Sequence, residues 1–104
     1  SLVLDLGHQG LFIITGCCHS GIINTVEHCM KITGNSRLKG IIGGLHLINA
    51  DEERMVKTRN FLRETGLSFL APLHCSGMEQ TCYLRGELGE SVKFLGAGEI
   101  VKVV

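Results

Sequence analysis

Apolar and polar positions alternate through Ser1 to Leu6, pause at Gly7-His8-Gln9-Gly10, and resume as the apolar run Leu11 to Thr15. Two strand-like runs joined by a short glycine-bounded turn predict a β-hairpin. The period then changes. Ile22, Val26, Cys29, Met30 and Thr33 recur at spacings of three and four between Ser20-Gly21 and Gly34, which predicts a helix with a serine start and a glycine stop. Leu38 to Ile42 reads as a short buried strand. Asp51, Glu52 and Glu53 then open a second helix that carries Met55, Phe61 and Leu62 and stops at Gly66, with Arg63 near its end. Acids in its first turn and a base in its last oppose the helix dipole. Leu67 to Leu70 predicts a further strand and Met78 to Leu88 a third helix. Val92 to Leu95 and Ile100 to Val104 predict two closing strands.

The predicted order is β-β-α-β-α-β-α-β-β in a single domain spanning residues 1–104. Strands alternating with helices require parallel neighbours joined by crossovers, so the class is α/β. The loop Thr15-Gly16-Cys17-Cys18-His19-Ser20-Gly21 contains no GxGxxG, and no GxxxxGK[ST] occurs, which removes the usual glycine-rich phosphate cradles. Ser20 and Ser76 are expected to cap the helices that follow them.

Charge narrows the partners. Ten basic residues balance ten acidic ones, leaving no positive field to gather nucleic acid. No apolar run approaches the roughly 18 residues of a membrane span, so neither a membrane span nor a leader is expected. Hydrophobic residues make up 44% of the chain, and the mean hydropathy is +0.25. That is more apolar surface than a domain of this size ordinarily hides, and Ser1 in place of a methionine fits a processed piece or a fragment. Five cysteines, an odd number without framework spacing, favour free thiols and a reducing cytoplasm over a disulfide scaffold.

Candidate chemistry lies at the strand ends. His19, His46 and His74 each follow a predicted strand and precede a helix. In a parallel sheet those carboxyl ends share one edge, where ligands bind, and converging imidazoles there can hold Zn²⁺, Fe or Mn²⁺. Each of the three would also be at home as an ordinary loop residue. His8 and His28 lack the placement and are expected in solvent. Cys17, Cys18 and Cys75 flank the three histidines, either as soft ligands or nucleophiles or, the preferred reading, as small apolar side chains filling tight loops. Cys29 and Cys82 are expected in the core. Asp5 and Asp51 fall away from the strand ends, so no carboxylate is an evident ligand.

The motifs Thr15-Gly16-Cys17-Cys18-His19-Ser20-Gly21-Ile22, Gly43-Gly44-Leu45-His46-Leu47 and Leu73-His74-Cys75-Ser76-Gly77 together resemble the carboxyl-terminal half of metallo-β-lactamase-fold hydrolases. The branch with GCSHxGI, GGxHL and HCTG in that order, the dihydropterin-aminobenzene ribofuranosyl phosphate synthase-like proteins, is the most similar. The resemblance implies half of an αββα sandwich and a metal-dependent hydrolase acting on an ester, lactam, thioester or phosphoester of a small-molecule substrate. It implies His19 and His74 as metal ligands, with His46 near the metal or substrate as a catalytic group. The implied cofactor is a divalent metal, zinc first, with Mn or Fe as alternatives. The family's HxHxDH motif is not among these residues. The missing half is thus expected from a segment elsewhere, on a second copy or a separate polypeptide. Two other functions compete: a binding or scaffolding module that keeps the half-fold without chemistry, and a Cys-based redox or nucleophilic protein using Cys17 or Cys75.

Overall fold

A computed structural model describes all residues, Ser1–Val104. Four strands, β1 (Leu2–Asp5), β2 (Leu11–Thr15), β3 (Leu38–Gly44) and β4 (Phe69–Leu73), form one sheet in the order β1-β2-β3-β4. β1 and β2 form the expected antiparallel hairpin around a 3₁₀ turn at Gly7–Gln9, and β2, β3 and β4 run parallel. Helices α1 (Ile22–Thr33), α2 (Glu52–Thr65) and α3 (Met78–Leu88) lie where the periodicity predicts them. Asp51 caps α2, its carboxylate accepting from the Arg54 N–H at 2.8 Å.

Sheet register explains how the helices pack. Ile13, Ile41 and Leu70 lie side by side across β2, β3 and β4 and are fully buried. They share one core cluster with Ile22, Val26 and Cys29 of α1, Met55 and Leu62 of α2, and Leu84 of α3, so all three helices cover the same face. Glu87 pairs with Arg59 at 3.5 Å and Arg63 at 3.3 Å, joining α3 to α2 along the solvent side.

The other face is partly covered. Phe12 and Ala71 are buried there outside that cluster, and the Phe12 and Phe69 rings sit 5.7 Å apart. Leu2 and its cross-strand partner Ile14 stay open, 57% and 38% exposed.

Three expectations change. The two closing strands do not form: Val92 makes a single parallel bridge to Leu70, and the chain beyond it is irregular. That tail still returns to the sheet, with the Lys93 N–H donating to the Leu70 carbonyl at 2.7 Å and the Lys39 ammonium donating to the Val103 carbonyl. Second, β4 begins later than expected and ends at Leu73, with Pro72 inside it. An edge strand tolerates a residue that has no N–H to donate. Third, Cys82 points to solvent, whereas Cys29 is in the core as expected. His8 and His28 are exposed, as their placement predicts.

Candidate metal centre

Three loops meet at the carboxyl ends of β2, β3 and β4. The first runs from Gly16 to Gly21, the second from Leu45 to Asp51, and the third is the 3₁₀ turn His74–Ser76 with Gly77. Because the three strands are parallel, His19, His46 and His74 all emerge at this one edge.

The loops are bound to one another before any side-chain chemistry is considered. Thr15 donates its hydroxyl proton to the Gly44 carbonyl at 2.7 Å, and the Gly44 N–H donates to the Gly16 carbonyl at 3.0 Å. The backbones approach so closely that a Cβ on Gly43, where φ is +128°, would lie 2.1 Å from the Thr15 carbonyl oxygen. One on Gly44 would lie 2.3 Å from the Gly16 carbonyl oxygen. Neither expected serine cap forms. Gly21 and Gly77 occupy the N-cap positions of α1 and α3, leaving the serines for other work. The buried Ser76 hydroxyl accepts from the Leu45 N–H at 2.9 Å and donates to the Leu73 carbonyl at 2.8 Å, tying the second loop to the third. The Ile48 N–H donates to the Cys75 carbonyl at 3.1 Å, a second tie between them.

Two groups of functional side chains stand on this frame. The His19 and His46 rings lie 4.5 Å apart, centroid to centroid, at 56°. His19 is exposed and His46 half-buried, and the buried His46 Nδ1 has no hydrogen-bond partner. The second group is Cys17, His74 and Cys75, whose ligand atoms all lie within 4.8 Å of one another. His74 belongs to this group, while neither His19 nor His46 contributes an atom to it. Cys18, His46 and His74 have φ of 63°, 51° and 54°, the left-handed region that residues with side chains seldom enter. Such backbone collects at functional loops, where the surroundings over-determine it.

Burial, with the adjacent Cys75 thiol adding to it, pushes the Cys17 thiol above its ordinary range. The thiol is therefore the resting form at neutral pH and would become a ligand by releasing its proton to solvent as a cation bound. The packing role preferred for Cys17 and Cys75 does not describe them, since both are only half-buried. Cys18 is buried and does pack in the core. Spacing along the chain hides the cluster: Cys17 follows β2 while His74 and Cys75 follow β4, and only the sheet order brings them together.

The residues present suit a divalent metal. A compact set of two sulfurs and one imidazole nitrogen offers donors that zinc accepts. Two clefts flank the edge. One, of about 560 Å³, runs from His19 past Asn24 to Arg54 and Lys57. The other, of about 340 Å³, joins His74 to Met78, Phe94 and Leu95.

Known proteins share both sequence and fold. The chain is 38% identical over 94 residues to 7,8-dihydropterin-6-methyl-4-(beta-D-ribofuranosyl)-aminobenzene-5'-phosphate synthase of Methanocaldococcus jannaschii, a match covering 90% of this chain and 32% of the synthase. It is 36% identical over 67 residues to an uncharacterized protein of the same organism, covering 64% of this chain and 25% of that protein. Among solved structures it superposes on Tm1679, a metal-dependent hydrolase of the β-lactamase superfamily, with a TM-score of 0.87 and 28% identity. That superposition covers 97% of this chain and 39% of Tm1679, so the chain spans between a quarter and two-fifths of the length of these relatives. No protein-family model matches the chain. By fold and sequence together, the chain carries part of the metallo-β-lactamase fold and resembles the dihydropterin-aminobenzene ribofuranosyl phosphate synthase branch of that superfamily.

Proposed function

We propose that the chain is the carboxyl-terminal half of a metal-dependent hydrolase, which contributes part of a metal centre and a proton-handling histidine. The observation that carries this reading is the convergence of His19, His46 and His74, with Cys17 and Cys75, on one sheet edge. Its support is the likeness to Tm1679, described as a metal-dependent hydrolase.

His19 and His74 would act as metal ligands, and zinc suits a set rich in imidazole and thiol better than Mn or Fe. When bound, a divalent metal supplies Lewis acidity, lowering the pKa of water and polarising the bond to be cleaved. The chain's own residues do the rest. His46 holds or releases a proton beside His19, with its Nδ1 free of any protein partner. Arg54 and Lys57 lend positive charge to the cleft that begins at His19, while Met78 and Phe94 offer apolar contact beside His74. Together they suit a small-molecule substrate with an anionic part and an apolar part, a phosphoester of an aromatic compound being the simplest. Leu2 and Ile14 mark the sheet face on which the missing half, from a second copy or a separate polypeptide, would pack.

A Cys-based nucleophile is the weaker reading. Reactive cysteines sit where neighbouring charge lowers the thiol pKa, and Cys17 is shifted the other way. The test is hydrolysis of chromogenic phosphoester, thioester, ester and lactam substrates by the zinc-loaded chain, alone and with a segment carrying HxHxDH. Turnover that stops with a chelator and is lost in His19→Ala and His74→Ala is the expected result. Turnover unaffected by the chelator but abolished by thiol alkylation would overturn the reading.

A further inference from the structure

We propose that Cys17 and Cys75 are a redox modification site, a pair of thiols that a hydroperoxide converts into an intrachain disulfide beside His74. Neither sulfur attacks the substrate in this role. The inference rests on the hydrolase reading for one consequence, the control of metal affinity at this sheet edge.

The two residues stand 58 positions apart in the chain, yet their sulfurs lie within 4.8 Å of each other across the end of β3. The Cys75 thiol donates to the Cys17 carbonyl at 3.4 Å, so it already rests on the backbone of its partner. Gly44 makes room for that approach, since a Cβ there would stand 3.1 Å from both the Cys75 sulfur and the Cys17 Cα. A disulfide holds its sulfurs about 2.05 Å apart. Rotation of the two thiols into other staggered positions covers the remaining distance. The turn that carries Cys75 stays in place, because Ser76 ties it to Leu45 and Leu73.

The other cysteines do not compete. Cys17 and Cys18 are adjacent, and Cα atoms about 3.8 Å apart across a peptide bond fall short of the roughly 4.4–6.8 Å that a disulfide spans. Cys18 and Cys29 are buried, and Cys82 faces solvent from α3, outside the cluster. Cys17 and Cys75 are half-buried, open to a small oxidant.

The chemistry balances with the hydroperoxide as oxidant. One thiolate attacks an oxygen of ROOH, a sulfur–oxygen bond forms, the O–O bond breaks, and ROH leaves with a proton, giving a sulfenic acid. The partner sulfur attacks that sulfur, the S–S bond forms, and the hydroxyl leaves as water with the second proton. Two thiols lose two electrons in all, and a dithiol reductant restores them by exchange. The consequence follows from position, for a ligand nitrogen of His74 lies in the same 4.8 Å group. A metal ligand must be a thiolate, which a disulfide no longer offers. Closing the bond therefore withdraws two soft donors from the centre that His19 and His74 serve.

The test exposes the full chain, reduced and cleared of zinc, to hydrogen peroxide, then alkylates the remaining thiols and maps the peptides by mass spectrometry. The expected map shows Cys17 linked to Cys75 and alkylated Cys18, Cys29 and Cys82, with the linkage undone by dithiothreitol. Zinc affinity, measured by competition with a chromophoric chelator, should be about tenfold or more weaker in the oxidised chain. Cys82→Ser should keep the linkage and Cys75→Ser, read by intact mass, should lose it; the map of the unaltered chain decides even if a variant fails to fold. Oxidation that stops at a sulfinic acid, that links chains through Cys82, or that joins Cys17 to Cys75 without changing zinc affinity would overturn the inference. Those results leave the hydrolase reading standing, because it depends on chelator-sensitive turnover by the reduced chain.

Discussion

The His19 and His46 rings meet at 4.5 Å although they leave the ends of two different strands, and the meeting depends on β2 and β3 being parallel neighbours. The pair puts an exposed imidazole against a half-buried one whose Nδ1 has no protein partner. If His46 handles a proton in the reaction, His46→Ala should lower kcat of the assembled hydrolase by about 10²–10⁴-fold. Metal content, measured on the same preparations, should be unchanged, because His46 stands outside the Cys17–His74–Cys75 cluster.

Ser76 tests how the edge is held. Its hydroxyl is the partner of the Leu45 N–H, and removing it strands a buried donor. Ser76→Ala should cost about 1–3 kcal/mol, read as a lower urea midpoint at an unchanged slope.

Gly43 should tolerate no side chain. With φ at +128° and the Thr15 carbonyl 2.1 Å from where a Cβ would sit, Gly43→Ala must push β2 and β3 apart at their ends. A loss of about 3 kcal/mol or more is expected, or failure to fold, measured by thermal unfolding.

These loops show where sequence reading reaches its limit. The hairpin and the three helices were legible because each carries its own period and its own punctuation, such as Gly34 after α1 and Asp51 before α2. The shared edge of the three histidines follows from the same alternation. Val92 to Leu95 carries as much strand-forming character as β1, yet only Val92 finds a partner, in Leu70. The outer edge of β4 offers Leu70, but Pro72 two residues on has no N–H with which to extend the pairing, and composition within Val92 to Leu95 does not report that. The partnership of Cys17 with Cys75 was hidden for a related reason, since it depends on β3 lying between β2 and β4. Ser20 and Ser76 read as caps because serine before a helix usually is one. A glycine at positive φ takes the cap position in each case, and Ser76 turns inward to bond two loops.

Alkaline stability should report on Cys29. Burial, chiefly, and the nearby Cys18 raise its thiol pKa in the folded chain, outweighing the amino terminus, which lowers it. The folded state thus holds its proton more tightly than the unfolded state. This stability is fully present below the ordinary thiol value of 9.0 and is lost as pH rises through the higher folded value. Urea midpoints should therefore fall on the alkaline side of that value, and Cys29→Ala should flatten this dependence while lowering stability at neutral pH through the cavity it leaves.

The most direct measurement of the central claim is the metal content of the chain purified without chelator and dialysed against trace zinc, by mass spectrometry of the elements. The account predicts about one zinc per chain, retained through gel filtration and lost from His74→Ala. Zinc absent from the unaltered chain, or bound equally by His74→Ala, would contradict it.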